Sequence, residues 1–112
     1  MRFLKTLFVW VFVLAHLAGG AAAAGWVWFN NELSAPGPLT EETVIEVAPG
    51  ESLAAVAARL EADGIIMDAR IMRLKSRLDG TELDIKTGEY IIEKGATVQQ
   101  VLSILIEGRS VL

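Results

Sequence analysis

Thr6 to Phe29 is a run of 24 residues without a charge, and that run limits everything else the chain can be. As a helix it would measure about 36 Å, against roughly 30 Å of membrane hydrocarbon. Eight Leu, Phe or Val residues fall between Leu7 and Leu17. At about −0.3 to −0.6 kcal/mol each on an insertion scale, they outweigh one neutral His16. Arg2 and Lys5 precede the run and Glu32, Glu41 and Glu42 follow it. The positive-inside rule therefore expects a single span over residues 6–29, with residues 1–5 cytoplasmic and the rest outside. Trp26, Trp28 and Phe29 suit an aromatic belt at the outer interface. A cleaved signal peptide with an Ala-x-Ala site within Ala21–Ala24 is the competing reading. It would leave Gly25–Phe29 as a strongly apolar free end, which favours the anchor. Gly20 with Ala24, and Ala21 with Gly25, have the spacing that lets membrane helices approach closely, but apolar filler explains them as well. His16 is read as filler or a weak polar contact.

Past the span the composition reverses. All fourteen acids and eight of the ten bases lie from Glu32 onward, a net charge of about −6 with both sets ionised. That balance argues against nucleic acid and against anionic lipid as partners, since both demand a basic surface. The chain has no cysteine and one histidine, the apolar-segment His16. Disulfides, thiolate metal sites, cysteine nucleophiles and a Ser-His-Asp triad outside the membrane are excluded. No metal and no cofactor is expected.

Asn30 to Thr40 reads as a linker, because Pro36-Gly37-Pro38 cannot propagate a helix and favours an extended path. Eleven residues would span roughly 35 Å when extended. The outer module follows over residues 43–108. Val44–Val47 reads as a strand, Pro49-Gly50-Glu51 as a turn and Ser52 as an N-cap. Leu53, Val56, Ala57 and Leu60 recur at helical spacing, and Gly64 ends that helix. Asp68 caps a second helix with the apolar line Ile71, Leu74 and Leu78, ended by Gly80. Lys86-Thr87-Gly88 is a turn into the strand Glu89–Ile92. Thr97 with Gln100 is a capping box for a third helix carrying Val98, Val101, Leu102 and Leu105.

Val47 to Leu60 matches Ile92 to Leu105 at an offset of 45 residues. Each copy has a strand end, a glycine turn, a hydroxyl cap and an amphipathic helix. Ordinary strand-turn-helix chemistry accounts for part of this, but a register held over six positions favours duplication or a shared building block. A module of this size buries only about 60% of its unfolded surface, so modest stability is expected. Glu82, Asp84, Glu89 and Glu93 superficially offer a glycosidase pair, but solvated strand faces and turns explain them better. Arg70, Arg73 and Arg77 share a helix face that reads as solvated. Lys75, Lys86 and Lys94 also read as solvated, which leaves nothing to hold pyridoxal phosphate.

Val47-Ala48-Pro49-Gly50-Glu51-Ser52-Leu53 with Val56-Ala57, followed by a second helix and a strand, resembles the LysM pattern, a βααβ module that binds peptidoglycan glycan. The whole order of motifs is similar to the N-terminal region of the endolytic murein transglycosylases, the MltG or YceG-like family. Lys86-Thr87-Gly88-Glu89-Tyr90 and Gly108-Arg109 are its most specific part. The resemblance implies an α+β chain: one transmembrane helix, then a small LysM-like βααβ module extended by a further strand-helix unit. It implies an inner-membrane location with the module periplasmic. It also implies lytic transglycosylase (lyase) activity on nascent glycan strands, limiting strand length and leaving 1,6-anhydro-muramyl ends. One glutamate performs that chemistry as general acid and then base. It is expected in a domain beyond Leu112, of which residues 109–112 would be the start, so no catalytic residue is assigned here and the chain is expected to be inactive alone. The implied partners are glycan strands, the membrane and cell-wall synthases. A LysM-like groove would use the turn Gly50, Glu51 and Ser52 and the segment Asp79, Gly80 and Thr81, where small residues and backbone amides let a sugar ring approach. The module either grips sugar or packs against the catalytic domain. A stand-alone, non-enzymatic peptidoglycan-binding or scaffold protein of the envelope is the alternative.

Overall fold

The computed structural model describes residues 1–108. The chain divides into two compact units, Met1–Asn31 and the residues from Glu32 on. Helix α1 runs over Arg2–Ser34, about 50 Å of helix, and is long and apolar enough to cross a membrane. Three of its polar side chains are satisfied by the helix itself. Thr6 Oγ1 donates to the Arg2 carbonyl at 3.0 Å, His16 Nδ1 lies 2.9 Å from the Phe12 carbonyl and Asn30 Nδ2 donates to the Trp26 carbonyl at 2.9 Å. Such bonds to the preceding turn remove the cost of a bare polar group in hydrocarbon.

In the second unit, strand β1 (Thr43–Val47) is followed by helix α2 (Leu53–Ala62) and helix α3 (Ala69–Asp79). Strand β2 (Gly88–Ile92) and helix α4 (Val98–Glu107) complete it. The α+β class and the β-α-α-β-α order are as expected. The strands pair antiparallel, with Thr43 opposite Ile92, Ile45 opposite Tyr90 and Val47 opposite Gly88. At an offset of 45 residues, Tyr90 is the counterpart of Ile45, and Gly88 and Ile92 are those of Thr43 and Val47. The two copies therefore face each other across a local two-fold centred on the Ile45–Tyr90 pair. Element lengths repeat too: five residues in each strand and ten in each helix. Each turn is closed in the same way, Glu51 N–H to Ala48 carbonyl at 3.1 Å and Ala96 N–H to Glu93 carbonyl at 3.2 Å. Each requires a left-handed glycine, Gly50 at φ 79° and Gly95 at φ 69°, a conformation that other residues adopt only with strain.

Ile45, Val47, Tyr90 and Ile92 are buried on the inner face of the sheet, and the expected stripes of α2 and α4 are buried as well. Helix α3 departs from expectation. Its buried residues are Ala69, Ile71, Met72 and Ser76, whereas Leu74 and Leu78 stay 41% and 57% exposed. The reason is that α3 packs against both α2 and α4, which centres its inner face on Met72 and Ser76. The buried Ser76 hydroxyl is 3.0 Å from Thr81 Oγ1, so the polar atom costs little.

The residues expected to run extended from Asn30 to Thr40 do so only in part. The first five are helical, and α1 ends just before Ala35-Pro36, where proline disfavours a preceding helical residue. The remainder is fastened to the second turn. Gly37 N–H donates to the Gly95 carbonyl at 3.1 Å, and Gly95 N–H donates to the Leu39 carbonyl at 2.8 Å. A Cβ on Gly37 would sit 2.2 Å from the Ala96 carbonyl oxygen, so only glycine fits there. The expected start of a further domain at residues 109–112 lies outside the described residues.

Candidate functional site

The turn between β1 and α2 and the loop between α3 and β2 meet at a groove of about 440 Å3. Gly50, Glu51 and Ser52 line one wall, and Glu82, Leu83, Ile85 and Thr87 the other. The first three are among the residues expected from the sequence. Gly50 has no neighbour within 4 Å of a Cβ position, so the space beside it is open. Ser52 Oγ accepts the Ala55 N–H at 3.1 Å as the helix cap, which leaves its own O–H to donate outward.

Glu51 is locked in place. Its Oε1 accepts the Ala48 N–H at 2.9 Å and its Oε2 takes Arg59 Nη1 at 2.5 Å. The other guanidinium nitrogen of Arg59 donates to the Glu46 carbonyl. The Arg59 hydrogen bond first, and the Ala48 N–H second, hold this carboxyl below the usual glutamate range. A carboxylate that stays ionised, with one oxygen bonded to its own turn and the other to Arg59 of α2, is a brace, not a proton shuttle.

Asp79, Gly80 and Thr81 do not line the groove. Asp79 pairs with Lys75 at 3.1 Å, Gly80 ends α3 in the left-handed conformation, and Thr81 satisfies Ser76. They stop the helix and so set the direction of the residues that follow. The wall itself begins at Glu82, whose carboxylate is 3.5 Å from Arg77 Nε. Leu83 is 96% exposed. The sequence places it with Ile85 in a loop or short strand and gives it no site role, although an apolar residue between Glu82 and Asp84 is a visible signal. The four carboxylates are spread over three features: Glu82 and Asp84 in this loop, Glu89 in β2 and Glu93 in the second turn.

Lys86 is exposed, as expected of a solvated lysine, but it also fastens the end of α4. Its N–H donates to the Leu105 carbonyl at 3.0 Å and its ammonium donates to the Ile106 carbonyl. Tyr90, fully buried, donates its hydroxyl to the Lys86 carbonyl at 2.6 Å. A cation on the last carbonyls of α4 is the favourable end of the helix dipole. The Lys-Thr-Gly-Glu-Tyr motif is thus a clasp between β2 and the end of α4.

Two larger grooves follow the internal symmetry. One of about 580 Å3 flanks β1 and includes Glu46, Ala48, Glu51 and Arg59. The other, about 860 Å3, includes their counterparts Ile91, Glu93, Ala96 and Ile104. The first contains the Arg59–Glu51 pair, and the second is lined by Thr97, Gln99, Gln100 and Ser103.

Comparison with known proteins agrees with this architecture. No curated protein matches the chain. Among solved structures, a yceG-like protein from Listeria monocytogenes is similar with a TM-score of 0.57 at 22% identity. The match covers 63% of this chain and 23% of that one, so this chain spans less than a quarter of the relative's length. At that identity the likeness concerns the fold. The sequence model of the YceG-like family matches residues 45–112, which take in both copies of the repeat. The chain belongs to the YceG-like family.

Proposed function

We propose that this chain is the membrane-anchored, glycan-positioning portion of a lytic transglycosylase that acts on peptidoglycan. Helix α1 holds it in the inner membrane with Arg2 and Lys5 in the cytoplasm, and the acidic module lies on the periplasmic side. The βααβ part is LysM-like and takes a glycan strand in the groove between the β1–α2 turn and the α3–β2 loop. One observation carries this reading. The two loops bring an open glycine turn, an outward hydroxyl donor and the apolar side chain of Leu83 to a single groove. Sugar recognition combines such polar edges with an apolar surface for the ring. Family membership supports the activity class. Glu51 is a fixed brace, and the resemblance to the transglycosylases assigns the catalytic role to a glutamate outside the described residues.

Recovery of the detergent-solubilised chain on insoluble murein tests the groove. Leu83→Asp removes an apolar contact of about 1.5 kcal/mol and should lower recovery roughly tenfold. Equal recovery of the two proteins, or equal recovery with and without murein, overturns the glycan-binding assignment. Incubation with murein should release no anhydro-muropeptides, and release would overturn the assignment of catalysis to a residue elsewhere.

A further inference from the structure

The net acidity of the residues past Glu32 hides a segregation of charge. Helix α3 carries four of the eight bases in that region (Arg70, Arg73, Lys75 and Arg77) and only one of its fourteen acids, Asp79. Arg70, Arg73, Leu74 and Arg77 lie at helical spacing on one stripe and line a shallow depression of about 200 Å3. Leu78 extends the stripe by one turn. All five side chains are exposed, because the opposite side of α3, centred on Met72 and Ser76, is the one packed against α2 and α4. The acids around the stripe neutralise it only in part. Asp68 holds Arg70 at 3.0 Å and Glu82 reaches Arg77 at 3.5 Å, while Asp79 is taken by Lys75. Arg73 has no ion-pair partner among the described residues.

We propose that this face of α3 docks on anionic phospholipid headgroups. The inference rests on the anchor reading and is independent of the glycan groove. Arginines interleaved with protruding leucines suit a bilayer surface: guanidiniums meet phosphate while the leucines enter the acyl boundary. Charge complementarity selects the orientation. The other bases past Glu32 are Arg59, Lys86, Lys94 and Arg109, against thirteen acids, so an anionic surface repels the rest of the module and attracts this helix. A tether adds the final condition. A chain with one membrane span keeps whatever follows at high local concentration near the bilayer, so an attraction too weak for free binding suffices.

The chain has no cysteine, so Leu78→Cys accepts a single polarity-sensitive fluorophore on the full-length chain. The labelled chain is placed in nanodiscs of phosphatidylcholine alone or with phosphatidylglycerol. Emission should shift to shorter wavelength only with the anionic lipid. The shift should vanish in about 1 M salt, where the screening length is about 3 Å. Combining Arg70→Gln, Arg73→Gln and Arg77→Gln should reduce the docked-to-free ratio roughly tenfold. Arg73→Gln alone, which breaks no ion pair, should reduce it by a smaller factor. A label carried by Val44→Cys, exposed on the sheet, should not respond. Equal emission in the two lipids, or a shift that survives the triple substitution, overturns the proposal. A shift driven in neutral nanodiscs by soluble acidic murein fragments also overturns it and assigns the face to a carboxylate partner. Retention in nanodiscs on gel filtration reports the anchor, and murein recovery reports the groove, so each failure is distinct.

Discussion

The two β-turn-α units share a backbone and differ in how each is fastened. The first is braced by charge: Glu51 ties its own turn to Arg59, and Arg59 reaches back to β1. The turn of the second is fastened without charge. Thr97 and Gln100 exchange hydrogen bonds at 2.9 and 3.1 Å in a complete capping box. Its turn is also occupied, since both backbone polar groups of Gly95 are bonded to the segment at Gly37 and Leu39. Gly50, the counterpart of Gly95, has no backbone partner among the described residues. One copy has thus been given to the chain's own architecture and the other left open.

The local two-fold predicts where the symmetry breaks hardest. Tyr90 and Ile45 are counterparts and direct cross-strand neighbours, but Tyr90 is larger, fully buried and bonded to the Lys86 clasp. Tyr90→Ala should cost about 3–5 kcal/mol and Ile45→Ala about 2–4, read by denaturant unfolding of the detergent-solubilised chain. Equal losses would mean that the clasp at Lys86 adds nothing to the second copy. Tyr90→Phe isolates that hydrogen bond and should cost about 1 kcal/mol.

The next contrast concerns the turns. Gly37→Ala drives a methyl into the Ala96 carbonyl and should cost about 1–3 kcal/mol as overpacking. Gly50→Ala meets no atom and pays only for its positive φ, about 1 kcal/mol. If Gly50→Ala proves the worse of the two, the first turn is not the open one.

These contrasts also separate what could be read beforehand from what could not. Ser52, the α2 stripe, the Thr97–Gln100 box and the glycine stops were legible because each is local, with donor and acceptor within four residues. The face of α3 was not. Ile71, Leu74 and Leu78 form a better apolar line than Met72 and Ser76, and only packing against two helices decides between them. Lys86 reaches a helix end 20 residues away, and Gly37 meets a turn 58 residues on, contacts that no window of sequence contains. The first wall of the groove was legible as a turn. Its second wall was displaced from Asp79–Thr81 to Glu82–Thr87 because those three residues are spent on ending α3.

Capping is the smaller contrast. Thr97→Ala removes the centre of a reciprocal box and should cost about 1–2 kcal/mol, whereas Ser52→Ala removes one bond and should cost about 0.5–1. The same unfolding curves measure both. Gln100→Ala should bring the second cap to the level of the first, because it leaves Thr97 accepting one N–H, as Ser52 does.

The smallest expected effect depends on pH and belongs to the first copy alone. Folding depresses the pKa of Glu51, through Arg59 foremost. Such a group contributes stability that is complete above its unfolded pKa and is lost as pH falls through the lower folded value. The Arg59 side chain is 40% exposed, so screening limits the contribution to about 1 kcal/mol at most. Glu51→Gln should therefore lower stability at pH 7 by no more than that, and the difference from the parent chain should shrink as pH falls below the ordinary glutamate range. Asp68, held low by Arg70, titrates in the same direction and is common to both proteins, so the difference curve isolates Glu51. Introducing a carboxylate at its counterpart with Ala96→Glu should not create a matching dependence, because Ile104 stands where Arg59 does in the first copy. A pH-dependent gain from Ala96→Glu would mean that a cation other than the Arg59 counterpart can serve, and the charge brace would no longer distinguish the two units.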